Sequence, residues 1–416
     1  MTIKSSEADA LSRNVGIDFL RGLAVLLVVL HHLGLRFPLK ETRVADWLPK
    51  RVWSALIYSG YEAVFVFFVI SGFLIATNCL LRWGALSRMD IKAFYARRFA
   101  RIMPCLALLI VVLSALHLLG VNHYVIKREG QSLSGAVVAA FGLHLNWYEG
   151  SMGYLPGNWD VLWSLSIEEL FYLCFPVLCW LLPSRGSLIA VLAILALSLP
   201  ITRAALTGNE IWQEKAYLPG MAAIATGILS ALFAQHGRSW QAHKRSRVMW
   251  LFLLAGAIGL MSFLFYSNVL WKWWRDASML VLTGASALLV VACYWRGLRS
   301  GVSDVGAIDA PFNTARQSWY LAKRPVPGTA WLCVMGRQSY EIYLTHMFVV
   351  FALVDIAARV DVGKTYSFVW YLPGVLLSWL LGDMVQRIYS MPCDRWLRAR
   401  WMSTREEAPL RLEQTS

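Results

Sequence analysis

Two ionisable side chains on one helical face of the first long apolar run are candidates for chemistry. Arg21 and His32 are eleven residues apart, so on a helix they share a face to within about 20° and stand about 16 Å apart along the axis. An ionisable residue inside a membrane span costs about 2.5–3.5 kcal/mol on insertion scales, which makes each one a candidate for function. His32 has the chemistry of a general base; an interfacial histidine is the simpler alternative.

A pair of adjacent carboxylates, Glu168 and Glu169, lies early in another apolar run. A carboxylate beside an imidazole fixes the tautomer of the ring and raises its basicity. The predicted topology brings this pair to the level of His32, so we predict that Glu168 or Glu169 orients His32. A structural salt bridge to an intramembrane arginine is the alternative.

A basic segment between the second and third apolar runs contains Arg97, Arg98 and Arg101. Arg98 and Arg101, three residues apart, point the same way on a helix. Guanidinium forks suit phosphate or pyrophosphate groups, so the segment is a candidate phosphate site. Anchoring to lipid headgroups is the alternative.

Polar side chains recur on one helical face near the C-terminal end. Ser339, Tyr343 and His346 follow the i, i+4, i+7 spacing that aligns them. With Ser166, they are predicted to line a substrate cavity. Hydrogen-bonding between neighbouring helices would explain the same pattern.

The composition indicates the elements that position these residues. Hydrophobic residues make up 58% of the 416-residue chain and charged residues 15%, and the mean hydropathy is +0.52. These values are typical of a polytopic membrane protein. We predict an all-α transmembrane helical bundle with spans at 16–35, 55–81, 102–120, 161–182, 187–201, 216–234, 249–270, 277–295, 331–357 and 367–389.

Loop charge decides the status of an eleventh, shorter run at 133–147. If this run does not cross, Lys and Arg are concentrated on the inner side; if it crosses, the asymmetry reverses and violates the positive-inside rule. We therefore predict ten crossings, both termini cytoplasmic, and a re-entrant or non-crossing segment at 133–147. The predicted domains are an N-terminal tail (1–14), one membrane domain (15–391) and a loose basic tail (392–416), with a polar inner connector at 296–330.

Several function classes are excluded or disfavoured. The net charge of +14 does not indicate nucleic-acid binding, because the basic residues lie in short connectors between apolar runs. The seven cysteines lack metal-ligand spacing and are interpreted as core residues, with no metal expected. The first run carries Asp18 and Arg21 without a following cleavage site, so it is predicted to be a retained span and not a signal peptide.

Taken together, these motifs resemble the acyltransferase 3 family of integral membrane acyltransferases, from about Asn14 to about Tyr389. The elements that carry the resemblance are the Ile-Asp-Phe-Leu-Arg stretch at 17–21 with His32, the Val-Phe-Phe-Val-Ile-Ser-Gly-Phe stretch at 66–73, the segment 94–104, the Trp-Ser-Leu-Ser-Ile-Glu-Glu stretch at 163–169 and the segment 339–346.

The resemblance implies transfer of an acyl group, most often acetyl, from cytoplasmic acyl-CoA to a hydroxyl of a sugar or lipid-linked glycan. It implies a bacterial inner-membrane location, with acyl-CoA as donor substrate and no permanently bound cofactor. Carried over by position, Arg21 and His32 are the essential first-helix pair, Arg98 and Arg101 face the acyl-CoA, and Glu168 is the motif carboxylate.

Two departures accompany the resemblance. At the position just before the 66–73 stretch, where the family often has an acidic residue, this chain has Phe65. Glu62 lies one turn earlier. The chain also lacks the extracellular hydrolase-like domain of some members, so it is expected to finish the transfer itself or pass the acyl group to a partner. A transporter or flippase for a sugar-containing substrate remains the main alternative, and a scaffold subunit is a third.

Overall fold

The computed structural model describes residues 14–298, 326–360 and 363–402. This part of the chain is helical and contains no strand, which confirms the predicted all-α bundle. Most of the predicted connector 296–330, nearly all of the N-terminal tail and the end of the C-terminal tail lie outside the described residues.

The helices that build the bundle are numbered in chain order, leaving out those shorter than eight residues. They are α1 Val15–Arg36, α2 Lys50–Tyr58, α3 Gly60–Trp83, α4 Ile91–Leu118, α5 Leu133–Phe141, α6 Leu145–Met152, α7 Trp163–Leu181, α8 Arg185–Leu197, α9 Tyr217–His236, α10 Ala242–Trp274, α11 Ser278–Leu298, α12 Ala330–Arg337, α13 Ser339–Val360, α14 Tyr371–Val385 and α15 Met391–Met402.

The predicted spans correspond to long apolar helical segments. Nine such segments occur in the described ranges, and one of them, Ala242–Leu298, is 57 residues long. That segment comprises α10 and α11, which pack against each other after the chain turns at Arg275 (φ 49°). The nine segments therefore contain a helix for each of the ten predicted spans.

The eleventh run does not form a membrane-length helix. It is divided into α5 and α6 at Gly142 and Leu143, where Leu143 has a φ of 57°. A nine-residue helix is only about 14 Å long, so neither piece can span a bilayer alone. This agrees with the predicted non-crossing segment.

Two boundaries differ from the sequence prediction in ways that affect the site. The predicted span 331–357 is interrupted at Gln338, where α12 ends and α13 begins. The predicted loose tail from 392 is helical as far as Met402, because α15 packs against α4. Both changes bring polar side chains to the interior of the bundle, namely Gln338 at the break and Arg395 and Arg398 on α15.

Small residues permit close approach of α3 and α9, the most extensively packed helix pair in the described part. A Cβ atom at Gly72 would lie 2.0 Å from the Ile224 carbonyl oxygen, and one at Gly227 would lie 2.0 Å from that of Val69. Backbone atoms cannot rotate away as a side chain would. The crossing therefore requires glycine at both positions.

Gly227→Ala is expected to destabilise the protein by about 1–3 kcal/mol, because the new methyl group overpacks the α3–α9 contact. Gly284→Ala on α11 is the matched control, since no atom lies within 4 Å of the added Cβ and alanine has the higher helix propensity. Thermal unfolding in detergent should give a lower midpoint for Gly227→Ala and an unchanged or higher one for Gly284→Ala. Equal midpoints would contradict the packing argument.

Candidate functional site

A cavity of about 1150 Å³ opens at the end of the bundle where α1 begins and α3 ends. We call this the arginine cavity. Arginines outnumber carboxylates in its wall, and those arginines are Arg21, Arg82, Arg97, Arg98, Arg101, Arg238, Arg337, Arg387, Arg395 and Arg398. The interior is therefore suited to an anionic ligand.

Arg98 is held by the two adjacent glutamates. Its Nη2 atom is 3.3 Å from Glu168 Oε1 and also bonds to Glu169, while its guanidinium lies 4.0 Å from the Tyr172 ring centroid. Ser71 donates a hydrogen bond to the same Glu168 oxygen, Oε1. The arrangement fixes the orientation of Arg98 at the cavity wall.

This pairing corrects the prediction that Glu168 or Glu169 orients His32. Both carboxylates bond to Arg98, and the ring next to His32 is that of His346. The physical reason is that a permanently charged guanidinium binds carboxylates more strongly than an imidazole does. The structure therefore has the salt bridge that the sequence left as the alternative.

Arg101 is oriented by Glu341, a residue that the sequence analysis did not select. Arg101 Nη1 is 2.9 Å from Glu341 Oε1, and the fully buried Glu341 also accepts hydrogen bonds from Ser390 at 2.7 Å and Gln386 at 3.3 Å. Ser390 and Gln386 belong to a π-helical turn between α14 and α15. The sequence does contain a signal that could have identified Glu341, because it is an acidic residue in a largely apolar helix.

Arg21 lies in the arginine cavity and donates a hydrogen bond to Ser339 Oγ at 2.9 Å. The two residues are far apart in sequence, and the break at Gln338 starts α13 at this level. Two residues predicted in separate motifs thus form one pair. Arg97, also predicted, lines the same cavity.

The deep end of the arginine cavity is formed by Ser164 and Tyr343, whose hydroxyl oxygens are 2.8 Å apart. His346 is one turn further along α13, and its ring centroid is 5.0 Å from that of His32. The ring of His31 is also close to His32, with ring centroids 5.3 Å apart. The Ser164–Tyr343 pair therefore lies between the cavity and a cluster of three imidazoles.

Two residues predicted to line the substrate cavity are absent from its wall. Ser166 faces away from Ser164 because two residues turn a helix by about 200°, and it accepts a hydrogen bond from the Leu145 backbone N–H at 3.3 Å. His346 is fully buried behind the cavity end. Glu62 faces a separate apolar cleft and not the arginine cavity.

A buried ion cluster that the sequence analysis missed borders the histidines. Lys215 Nζ is 2.9 Å from Glu149 Oε2 and also bonds to Asp160. Burial raises the pKa of Glu149 well above its ordinary value, although Lys215 opposes the shift. The charge of Lys215 acts on His32, so this cluster contributes to the electrostatic environment of the histidines.

The described residues contain no group of three or more His, Cys, Asp or Glu side chains arranged to hold a metal ion. The polar groups of the site are instead arginine forks, hydroxyls and imidazoles. They suit an anionic ligand near the opening and proton transfer at the deep end.

The structure is that of an integral membrane protein built as a helical bundle. Its arginine-lined cavity ends near a cluster of histidines. The acyltransferase domain family matches residues 14–385. The chain therefore belongs to this acyltransferase family, as the sequence motifs predicted.

Two proteins to which the chain is similar are named as O-acetyltransferases. The chain is 29% identical over 214 residues to the peptidoglycan O-acetyltransferase OatA of Listeria monocytogenes, covering 49% of this chain and 29% of that protein. It is 23% identical over 399 residues to the O-acetyltransferase OatA of Staphylococcus aureus, covering 91% of this chain and 56% of that protein. The chain therefore spans only about half of the Staphylococcus aureus protein and less than a third of the Listeria monocytogenes protein. No solved structure matches the chain.

Proposed function

We propose that the protein is a membrane-bound O-acyltransferase that moves an acyl group, with acetyl as the first candidate, from cytoplasmic acyl-CoA to a hydroxyl of a sugar or glycoconjugate. The observation that carries the proposal is the arginine cavity, which leads from the predicted inner face towards His32. The family membership and the names of the relatives support the O-acetyl transfer part of the proposal. An inner-membrane location with both termini cytoplasmic is part of the proposal.

The donor assignment rests on charge and size. CoA carries a 3′-phosphate and a diphosphate, which arginine forks bind with paired charge-assisted hydrogen bonds. The cavity volume of about 1150 Å³ is slightly above the range of ordinary ligand pockets, which measure about 300–1,000 Å³. In this proposal Arg98 and Arg101, each held by a carboxylate, face the phosphates, and Arg97 contributes charge.

The chemistry at the deep end requires little of the protein because a thioester is already activated. The enzyme deprotonates an alcohol and stabilises a developing oxyanion. His32 acts either as the base or as a transient carrier of the acyl group. Arg21, held by Ser339 in the wall of the arginine cavity, adds positive charge on the donor side of the reaction in this proposal.

The test is transfer of radiolabelled acetyl from acetyl-CoA to endogenous glycoconjugate in membranes that contain the protein. Label on glycan above that of membranes lacking the protein supports the proposal. If acetyl-CoA and other acyl-CoAs give no label and do not bind the purified protein, the acyltransferase proposal fails. The transporter alternative would then be favoured.

Arg395→Gln is expected to raise the KM for acetyl-CoA by about 5- to 10-fold with little change in kcat, because an exposed arginine in the cavity wall contributes about 1 kcal/mol to phosphate binding. Arg395 lines the arginine cavity from α15. Arg400→Gln is the matched control, since Arg400 lies on the same helix but outside the cavity wall and stacks near Trp396. Equal KM values for the two variants would remove α15 from the donor site.

A further inference from the structure

His346 has a fixed tautomer. Its ring Nδ1 is 2.8 Å from the Tyr343 carbonyl oxygen and 3.3 Å from that of Ile342. A carbonyl oxygen only accepts hydrogen bonds, so Nδ1 carries the proton and donates it. In the neutral ring Nε2 is therefore an unprotonated nitrogen whose lone pair can accept a proton.

This Nε2 atom is buried and has no hydrogen-bond partner, in a residue with no exposed surface. Buried polar atoms are rarely left unpaired, because the lost hydration costs about 1–3 kcal/mol. Since Nδ1 is directed to its own helix, the opposite ring nitrogen points away from the α13 backbone, and the ring of His32 lies 5.0 Å away. A free acceptor thus sits beside the residue that the family resemblance makes essential.

The hydrogen bonds of His346 suit a ring that takes up a proton at Nε2. After protonation, Nδ1 keeps its two acceptors, the carbonyl oxygens of Tyr343 and Ile342. These acceptors stabilise the imidazolium.

We propose that His346 is the general base of the transfer reaction, acting through Nε2 on the acceptor hydroxyl. This inference rests on the proposed acyltransferase function and adds a base distinct from His32. The hydroxyl proton moves to Nε2, the acceptor oxygen bonds to the acyl carbon, and the bond from that carbon to its leaving group breaks. The imidazolium returns the proton to the leaving atom, which is the CoA sulfur in direct transfer or a nitrogen of His32 if His32 carries the acyl group.

Two isosteric variants separate proton transfer from simple hydrogen bonding. In His346→Asn the amide NH₂ replaces Nδ1–H and can still donate to the Tyr343 carbonyl, but no basic nitrogen remains. In His346→Gln a polar group reaches the position of Nε2 without its basicity. We expect both variants to lose about 100-fold or more in acetyl transfer to endogenous glycoconjugate, while acetyl-CoA binding by purified protein changes by less than about twofold.

His117→Asn is the matched control. Its Nδ1 also bonds to the backbone, accepting a hydrogen bond from the Ile126 N–H at 3.0 Å, and His117 lies outside the wall of the arginine cavity. We expect His117→Asn to keep transfer within about threefold of wild type. A loss in His117→Asn equal to that in His346→Asn would show that the effect is not specific to His346 and would overturn its role.

The inference and the proposed function fail in different ways. If wild type transfers label and either His346 variant binds acetyl-CoA and transfers label within about threefold of wild type, His346 only holds its helix and the inference is wrong. If neither variant binds acetyl-CoA, His346 is a structural residue and the inference is again overturned. If wild type itself neither binds acetyl-CoA nor transfers label, the proposed function fails.

Discussion

His32→Ala is expected to reduce acetyl transfer by about 100-fold or more, whether His32 serves as a base or as a carrier of the acyl group. The side chain lies behind the Ser164–Tyr343 pair and outside the wall of the arginine cavity. Donor affinity should therefore change by less than about twofold. The measurement is the initial rate of labelled transfer, paired with acetyl-CoA binding by the purified variant.

His243→Ala provides the control for loss of an imidazole. His243 is exposed near the start of α10 and lies outside the cavity wall, so its variant should transfer at the wild-type rate. Transfer by His32→Ala at more than about a third of the wild-type rate would show that His32 takes no chemical part. Weakened acetyl-CoA binding in His32→Ala would instead place His32 at the donor site.

The sequence predicted the spans well because hydropathy is a property of each segment by itself. Membrane crossing needs about 20 apolar residues in succession, and that requirement can be read without knowing which helices are neighbours. Loop charge then decided the status of 133–147, where hydropathy alone was ambiguous. The break at Gln338 falls in the polar stretch Gly-Arg-Gln-Ser at 336–339, and the predicted span 331–357 ran through it because the segments on both sides are apolar.

Residue types at the site were predicted more successfully than their partners. Arg21 and Ser339 were both selected, yet their hydrogen bond joins positions 318 residues apart and depends on how α1 and α13 pack. Glu168 was assigned to His32 from estimated depth along the helix. Its partner depends on helix rotation and on the charge of Arg98, which a single sequence does not specify.

The ion cluster of Glu149, Asp160 and Lys215 was missed for a related reason. Each residue lies at the edge of an apolar run, where charged residues are normally solvated. Its members come from three separate segments, and burial is apparent only after those segments pack. Lys215 directly precedes the predicted span 216–234, a position where a lysine is normally solvated, although its exposed fraction is only 2%.

Arg98→Ala is expected to abolish transfer and also to destabilise the protein by about 3 kcal/mol, because removal of one partner leaves Glu168 and Glu169 as unpaired carboxylates in a largely buried site. The midpoint of thermal unfolding in detergent should fall by about 5 °C. Loss of activity in this variant alone therefore does not distinguish donor binding from loss of structure.

The double variant Arg98→Ala/Glu169→Gln separates these two roles. Replacing Glu169 with an uncharged amide removes one unpaired carboxylate, so the double variant should recover part of the unfolding midpoint lost in Arg98→Ala. If Arg98 also binds the donor phosphates, acetyl-CoA affinity and transfer stay low in the double variant. Recovery of transfer together with the midpoint would mean that Arg98 only holds the glutamates, and the donor site would then depend on Arg97, Arg101 and the arginines of α15.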